Sequence, residues 1–262
     1  MPFAGNQGTK IYWDEQGVGQ PVLLIMGLGW ASNMWYRTRP ILASCYRTIA
    51  FDNRGAGRSD VPPGPYAIST MASDAAAVLD ALGVETAHLV GASMGGMIAQ
   101  EFALQYPKRV RSLVLACTAP GGPHAVQAEP EVIQMLFRRE GSPKERAEAV
   151  VPFIYDVSTP RERIDQDLEA LSEWYPNSTG YMAQLQGILG WEAYSRLPQI
   201  AAPTMVIHGM NDRLVPPGNA DLIATRVRVA KLVKFPNAGH ILMSDQPEAV
   251  HQAILEFLSA QN

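Results

Sequence analysis

One short stretch of this 262-residue chain has the residue types and spacing for nucleophilic chemistry: Gly91-Ala92-Ser93-Met94-Gly95, with the apolar run His88-Leu89-Val90 before it and Gly96-Met97-Ile98-Ala99 after it. Five such letters also arise as a glycine-rich turn holding an incidental serine. Context separates the two readings, because the residues before Ser93 read as a strand and those after it as a helix. A chain that passes from strand to helix across one residue must turn sharply. Gly91, Gly95 and Gly96 leave room where the two elements cross, and the turn puts Ser93 in a strained backbone conformation with its hydroxyl raised above the sheet. The N-terminus of the following helix favours negative charge that develops there.

A serine hydroxyl needs a base to take its proton, and histidine is the usual one near neutral pH. Of five histidines, His88 lies inside the strand before the turn, His124 in a mid-chain interval, His208 at a strand end and His251 in mid-helix. His240 follows the strand Lys231-Leu232-Val233-Lys234-Phe235 by a short loop, which brings it to the same sheet edge as Ser93. A loop histidine alone is more often a solvated or packed side chain; beside the serine turn it is the best base. An imidazole in that role needs a carboxylate to fix its tautomer and stabilise its cation. Asp212, in the loop after the strand that ends at His208, stands at the same edge. Asp245 is a weaker rival, explained as the N-cap of the last helix with Glu248 three residues on. No carboxylate follows the strand that ends at Cys117, which removes another place for the acid.

The elements that must position these residues alternate along the chain. Strands are expected at 10–14, 21–26, 47–51, 87–91, 111–117, 204–208 and 230–235, and helices at 35–43, 70–82, 94–106, 218–227 and 246–258. Continuous apolar runs such as Pro21-Val22-Leu23-Leu24-Ile25-Met26 suit strands buried on both faces. The pattern implies an α/β fold, a mostly parallel twisted sheet with helices on both faces. Residues 120–198 break the alternation. They contain no convincing strand, are bounded by glycine and proline clusters, and hold 19 of the chain's 46 charged residues. Helices are expected there at 131–139, 143–155 and 161–174. The interval is far longer than one crossover needs, so it reads as a helical cap inserted over the ligand crevice of the sheet. Residues 1–119 and 199–262 then form the core domain.

Composition narrows the function. A charged fraction of 18%, a hydrophobic fraction of 47% and a net charge of −4 exclude a disordered chain and argue against nucleic acid as a partner. The longest apolar run, 21–31, is too short for a membrane span, and the N-terminus lacks the pattern of a signal peptide, so a cytoplasmic protein without membrane attachment is expected. Cys45 and Cys117 are too few for a disulfide framework or a four-ligand zinc site, and both are expected to be buried thiols. No nucleotide loop, dinucleotide fingerprint or metal-binding spacing is present, so no cofactor and no metal are expected.

The chain resembles α/β-hydrolase-fold serine hydrolases over essentially its whole length. The resemblance rests on Leu23-Leu24-Ile25-Met26-Gly27-Leu28-Gly29, on Phe51-Asp52-Asn53-Arg54-Gly55-Ala56-Gly57-Arg58-Ser59, on the serine turn, on Ala238-Gly239-His240 and on the chain order Ser93, Asp212, His240. It implies an oxyanion hole made by the backbone N–H groups of Leu28 and Met94. Many members have histidine where this chain has Met26, which makes the pocket more apolar here. The 52–59 segment suits a structural turn rather than the active site. Met26, Trp30, Trp191 and Leu242 are candidate walls of an apolar substrate pocket, and each is equally suited to the core. Two further stretches, 61–70 and 196–217, look similar to 3-oxoadipate enol-lactonases and related carboxylesterases, but they are mainly scaffold. The expected reaction is hydrolysis of a small or medium carboxylic ester or lactone through an acyl-enzyme. A carbon–carbon bond hydrolase and a cofactor-free perhydrolase use the same three residues, and some proteins of this fold only bind ligands. Ser93 excludes the aspartate nucleophile of epoxide hydrolases and dehalogenases. The oligomeric state is not legible.

Overall fold

Eight stretches of the chain pair into one sheet in the computed structural model, which describes residues 2–261. They are β1 (Phe3–Asn6), β2 (Thr9–Gln16), β3 (Pro21–Ile25), β4 (Arg47–Phe51), β5 (Ala87–Ala92), β6 (Val110–Ala116), β7 (Thr204–Gly209) and β8 (Ala230–Phe235), in the order β1-β2-β4-β3-β5-β6-β7-β8. The β1–β2 and β2–β4 pairs are antiparallel and the rest parallel. Side chains alternate across the central strands as a two-residue period demands. Leu23, Ile25, Leu89 and Leu113 belong to one core cluster, Val22, Leu24, Val90 and Val114 to the other.

The helices are α1 (Arg39–Ala43), α2 (Ile68–Ala81), α3 (Met94–Gln105), α4 (Pro130–Leu136), α5 (Pro143–Ile154), α6 (Arg161–Glu173), α7 (Ser178–Leu189), α8 (Gly218–Arg226), α9 (Leu242–Asp245) and α10 (Pro247–Ser259). Helices α2 and α3 close one face of the sheet, where Met71, Ile98 and Phe102 join the first cluster. Helices α1 and α10 close the other with Leu42, Val250 and Ile254. The chain leaves β3 for β4 on one side and crosses back to β5 on the other. The crevice outside the carboxyl ends of β3 and β5 is therefore the switch point at which open α/β sheets bind ligands.

The elements come out differently from those expected in three places. Strand β1 is a short, partly exposed edge strand, returned to β2 by a two-residue turn in which Gln7 and Gly8 both have positive φ, 49° and 77°. The helix expected at 35–43 is split into a 3₁₀ turn, Ser32–Trp35, and the separate α1, because Pro40 starts a helix better than it continues one. The expected helix 131–139 ends at Leu136.

Between β6 and β7 the described residues form α4 to α7 and no named strand. The two ends of this interval meet at an isolated antiparallel bridge, Gly121 with Glu192, beside a bond from Ala193 N–H to Pro120 O at 2.8 Å. Helix α7 is an addition to the helices legible in the sequence. Asn177 caps it, accepting from Thr179 and Gly180 N–H groups. It lies against the loop after β4 so closely that a Cβ on Gly187 would stand 1.8 Å from the Tyr66 carbonyl oxygen. Of the two cysteines, Cys117 is buried, but Cys45 is exposed, in the loop just beyond α1. Among the described residues no helix is long and apolar enough to cross a membrane.

Candidate active site

Ser93 joins β5 to α3 with φ 56° and ψ −122°, a conformation that L-residues rarely adopt. The neighbouring backbone holds it there: Ser93 N–H donates to Ala116 O at 2.9 Å, and Thr118 Oγ1 donates to Ser93 O at 2.7 Å. A Cβ on Gly95 would lie 2.0 Å from the Ile25 carbonyl oxygen, so α3 can start close to the end of β3 only with glycine there. The turn after β3 is pinned from two directions. Asn53 Nδ2 donates to Met26 O at 2.8 Å, and Gln184 from α7 accepts from Gly29 N–H at 2.7 Å while donating to Arg54 O at 2.7 Å. Neither Asn53 nor Gln184 stands out in the sequence as part of a site, because both act across long stretches of chain.

Asp212 lies in the loop after β7 and is 3% exposed. Its Oδ1 accepts from Leu214 N–H at 2.9 Å and Val215 N–H at 2.8 Å, which shapes the loop. Its Oδ2 faces His240 Nδ1 at 2.8 Å and His208 Nε2 at 3.2 Å. Burial by itself would raise the carboxyl's pKa. The charge of His240 and the hydrogen bonds from both imidazoles outweigh that effect and hold it down to about 2. With Nδ1 directed to the carboxylate, His240 keeps Nε2 for a second partner. His208 Nε2 also lies 2.8 Å from Val215 O, so this buried imidazole braces the Asp212 loop, a role the sequence reading did not give it.

The loop that carries His240 is fixed by the segment between α5 and α6. His240 and Ile241 N–H groups both donate to Ile154 O, at 2.8 and 3.0 Å. Asp156 Oδ2 accepts from Asn211 Nδ2 at 2.6 Å, next to Asp212. Asp245, expected as a helix cap, does something else. The N-cap of α10 is Gln246 without a side-chain bond. The Asp245 carboxylate instead turns inward and accepts from Gly239 N–H at 2.6 Å, Thr159 Oγ1 at 2.5 Å and Asp156 N–H at 3.4 Å. A cap and a buried acceptor leave the same local sequence pattern, so only the fold separates them.

Burial pushes the Asp245 carboxyl up to about 6, with those three bonds working in the opposite direction. The folded state therefore holds this proton more tightly than the unfolded chain. The stability it contributes is present below about pH 4 and is lost as the pH rises through about 6. Urea unfolding is expected to show wild type losing about 2–3 kcal/mol over that window relative to Asp245→Asn, which has no proton to release. Parallel curves for the two proteins from pH 4 to 7 would contradict this.

A cavity of about 200 Å³ opens where these elements meet. Ser93, His240, Leu28, Met26, Ala116 and Cys117 line its sheet side, and Leu136, Ala147, Val150 and Ile154 face them from the helical interval. Of the four pocket residues named from the sequence, Met26 and Trp30 line this cavity, and Trp191 and Leu242 do not. Trp191 packs in the first core cluster and donates through Nε1 to Glu101 Oε2 at 2.8 Å. Leu242 points into the second core cluster, and its neighbours Ile241 and Met243 face the cavity instead. The Met94 side chain is also in the core, but its backbone N–H heads α3, where a helix has no internal acceptor for it.

Among the described residues, one group has the spacing of a metal site, Cys117, Asp212 and His240, with ligand atoms within 4.8 Å of one another. The set suits a proton better than a cation. Asp212 and His240 already bond each other, and burial, reinforced by the Asp212 charge, raises the Cys117 thiol well above its usual pKa.

Comparison with known proteins agrees with this architecture. The family model for the alpha/beta hydrolase fold matches residues 20–247. The chain is similar to a poly(3-hydroxyalkanoate) depolymerase of Ectopseudomonas oleovorans, 33% identical over 92% of this chain and 85% of that one. A 2-hydroxy-6-oxo-6-phenylhexa-2,4-dienoate hydrolase of Burkholderia cepacia is 31% identical over 97% of this chain and 93% of its own length. A solved thermophilic esterase from Thermogutta terrifontis superposes with a TM-score of 0.86 at 30% identity, covering 99% of this chain and 98% of that one.

Proposed function

The chain belongs to the alpha/beta hydrolase fold family, and from that premise we propose that it is a serine hydrolase of small or medium carboxylic esters or lactones. The observation that carries the reading is the hydrogen bond from His240 Nδ1 to the buried Asp212, in a cavity whose wall also holds the strained Ser93. Ser93 Oγ attacks the carbonyl carbon while its proton passes to His240 Nε2. The carbonyl oxygen gains the negative charge, and the N–H groups of Leu28 and Met94 receive it. As the ester C–O bond breaks, His240 returns the proton to the leaving alkoxide and an acyl-Ser93 remains. Water, deprotonated by His240, attacks that acyl group; the acid is released and Ser93 regains its proton. Asp212 stays ionised throughout and stabilises each imidazolium.

In this reading residues 120–198 act as a cap on a core made of 1–119 and 199–262. The cap supplies the outer wall of the cavity and shields the acyl-enzyme from bulk water. The similarity to a dienoate hydrolase favours one second reading, hydrolysis of a carbon–carbon bond by the same three residues.

An alkyl phosphonofluoridate separates an activated serine from a passive one. It is expected to add one phosphonyl group, located by peptide mass at Ser93, with a matching loss of p-nitrophenyl ester turnover. Modification elsewhere, or none, would overturn the assignment. A protein specialised for carbon–carbon cleavage would label in the same way but turn over a vinylogous diketone far faster than any ester of a graded acyl series.

A further inference from the structure

Four arginines line the cavity, an odd feature for a chain of net charge −4. One of them is accounted for: Arg37 pairs with the buried Asp167. The other three, Arg138, Arg139 and Arg146, come from the end of the α4 region and the start of α5. Across the chain nine of the 16 arginines, Arg37 among them, have a carboxylate within ion-pair distance. These three have none among the described residues. Arg139 lies over the Tyr181 ring at 4.9 Å, and Arg146 donates to Gly141 O at 2.6 Å. Glu145, the acid whose charge interacts with Arg138, has its carboxylate engaged by Ser142 N–H at 2.7 Å and Ser142 Oγ at 2.9 Å. Arg138 and Arg139 are exposed and Arg146 half-buried, so they stand at the solvent end of the cavity. The end that holds Ser93 is apolar, with Met26, Ala116, Leu214 and Ile154.

Resting on the esterase reading above, we infer that the substrate carries a carboxylate at the end of its acyl chain remote from the scissile bond, received by Arg138, Arg139 and Arg146. An apolar slot with a cationic mouth fits a chain that is apolar beside the ester and charged at its tip. Guanidinium groups suit carboxylates because their paired N–H donors match the two oxygens. A positive mouth on an otherwise acidic molecule also concentrates anions at the entrance.

The test compares mono-p-nitrophenyl esters of glutaric, adipic and suberic acids with the same esters capped as methyl esters at the far carboxyl. For at least one chain length, kcat/KM is expected to favour the free acid by about tenfold, mainly through KM, with the preference shrinking as sodium chloride rises from about 0.05 to 0.5 M. The triple variant R138Q/R139Q/R146Q should bring the ratio close to one. Arg228→Gln, which removes an exposed charge elsewhere, should leave the ratio as in wild type. The inference falls if the capped esters are preferred at every length, or if the triple variant keeps the wild-type ratio while melting normally. Absence of turnover on every ester would instead bring down the esterase reading. Calorimetry with monomethyl adipate then decides the subsite: binding to wild type and not to the triple variant supports it, and equal behaviour of the two refutes it.

Discussion

Ser93→Ala is expected to lower kcat on a p-nitrophenyl ester by at least about 10³-fold, with the melting temperature unchanged within a degree or two. The fold does not depend on the hydroxyl. The bonds that hold this turn are made by the Ser93 backbone, to Ala116 O and from Thr118 Oγ1, and alanine keeps both. Alanine also meets the same steric cost at φ 56°, since it too carries a Cβ. In the proposed mechanism the chemistry depends on the hydroxyl, the one that His240 and Asp212 would activate. Cys117, the nearest alternative by chemistry, is kept protonated by burial and by the Asp212 charge. The experiment is a steady-state assay with a thermal melt on the same preparation. A variant that folds and still turns over the ester at more than a tenth of the wild-type rate would refute the role of Ser93.

Asp212→Asn should slow the same reaction by about 10²–10⁴-fold, and the structure explains why so small a change matters. Donors face both carboxylate oxygens: the Leu214 and Val215 N–H groups on Oδ1, His240 and His208 on Oδ2. An amide can accept on one side only. If its oxygen keeps the loop bonds, its NH₂ confronts His240 and favours the wrong tautomer; if it turns to His240, the loop loses two bonds. About 1–3 kcal/mol of stability is expected to go with the activity. The pH dependence gives a separate check. A carboxyl held down at about 2 contributes stability that is present above about pH 4 and is lost as the pH falls toward 2. Wild type should therefore lose about 2–3 kcal/mol relative to the asparagine variant over that acid range. An asparagine variant with normal turnover, and an acid profile parallel to wild type, would remove Asp212 from the mechanism.

Most of the sheet was legible because its strands are short apolar runs bounded by glycine and proline. Strand β1 escaped because Phe3-Ala4-Gly5-Asn6 is too short and too exposed to show a pattern. Helix α7 was obscured by Gly180 and Gly187, poor helix formers that are present because α7 presses on the loop after β4. Ser93, Asp212 and His240 could be singled out because a strand end, a loop and a residue type are all local features. The supports of the site are not local. Gln184 reaches Gly29 across 155 residues, and Asp245 reaches Thr159 across 86. Trp191 and Leu242 show the converse limit. A large apolar residue near a site in sequence carries no sign of whether it faces the cavity or the core.

The Ile154 carbonyl, which receives the N–H groups of both His240 and Ile241, sets a boundary on how this enzyme can be recombined. Helical intervals look like exchangeable modules, joined to the sheet at Pro120 and Ala193 and free to be traded between relatives in search of new substrates. Here the turn from Ile154 to Thr159 belongs with the sheet, since His240, Asn211 and Asp245 are all bonded to it. A chimera that imports a foreign interval whole carries in a foreign mould for the histidine loop and should start from a poor catalyst, however well its pocket fits. One that grafts only α4 and retains both the α5–α6 turn and α7, whose Gln184 holds the Gly29 turn, changes a wall and keeps the machinery, which makes α4 the natural place for a library.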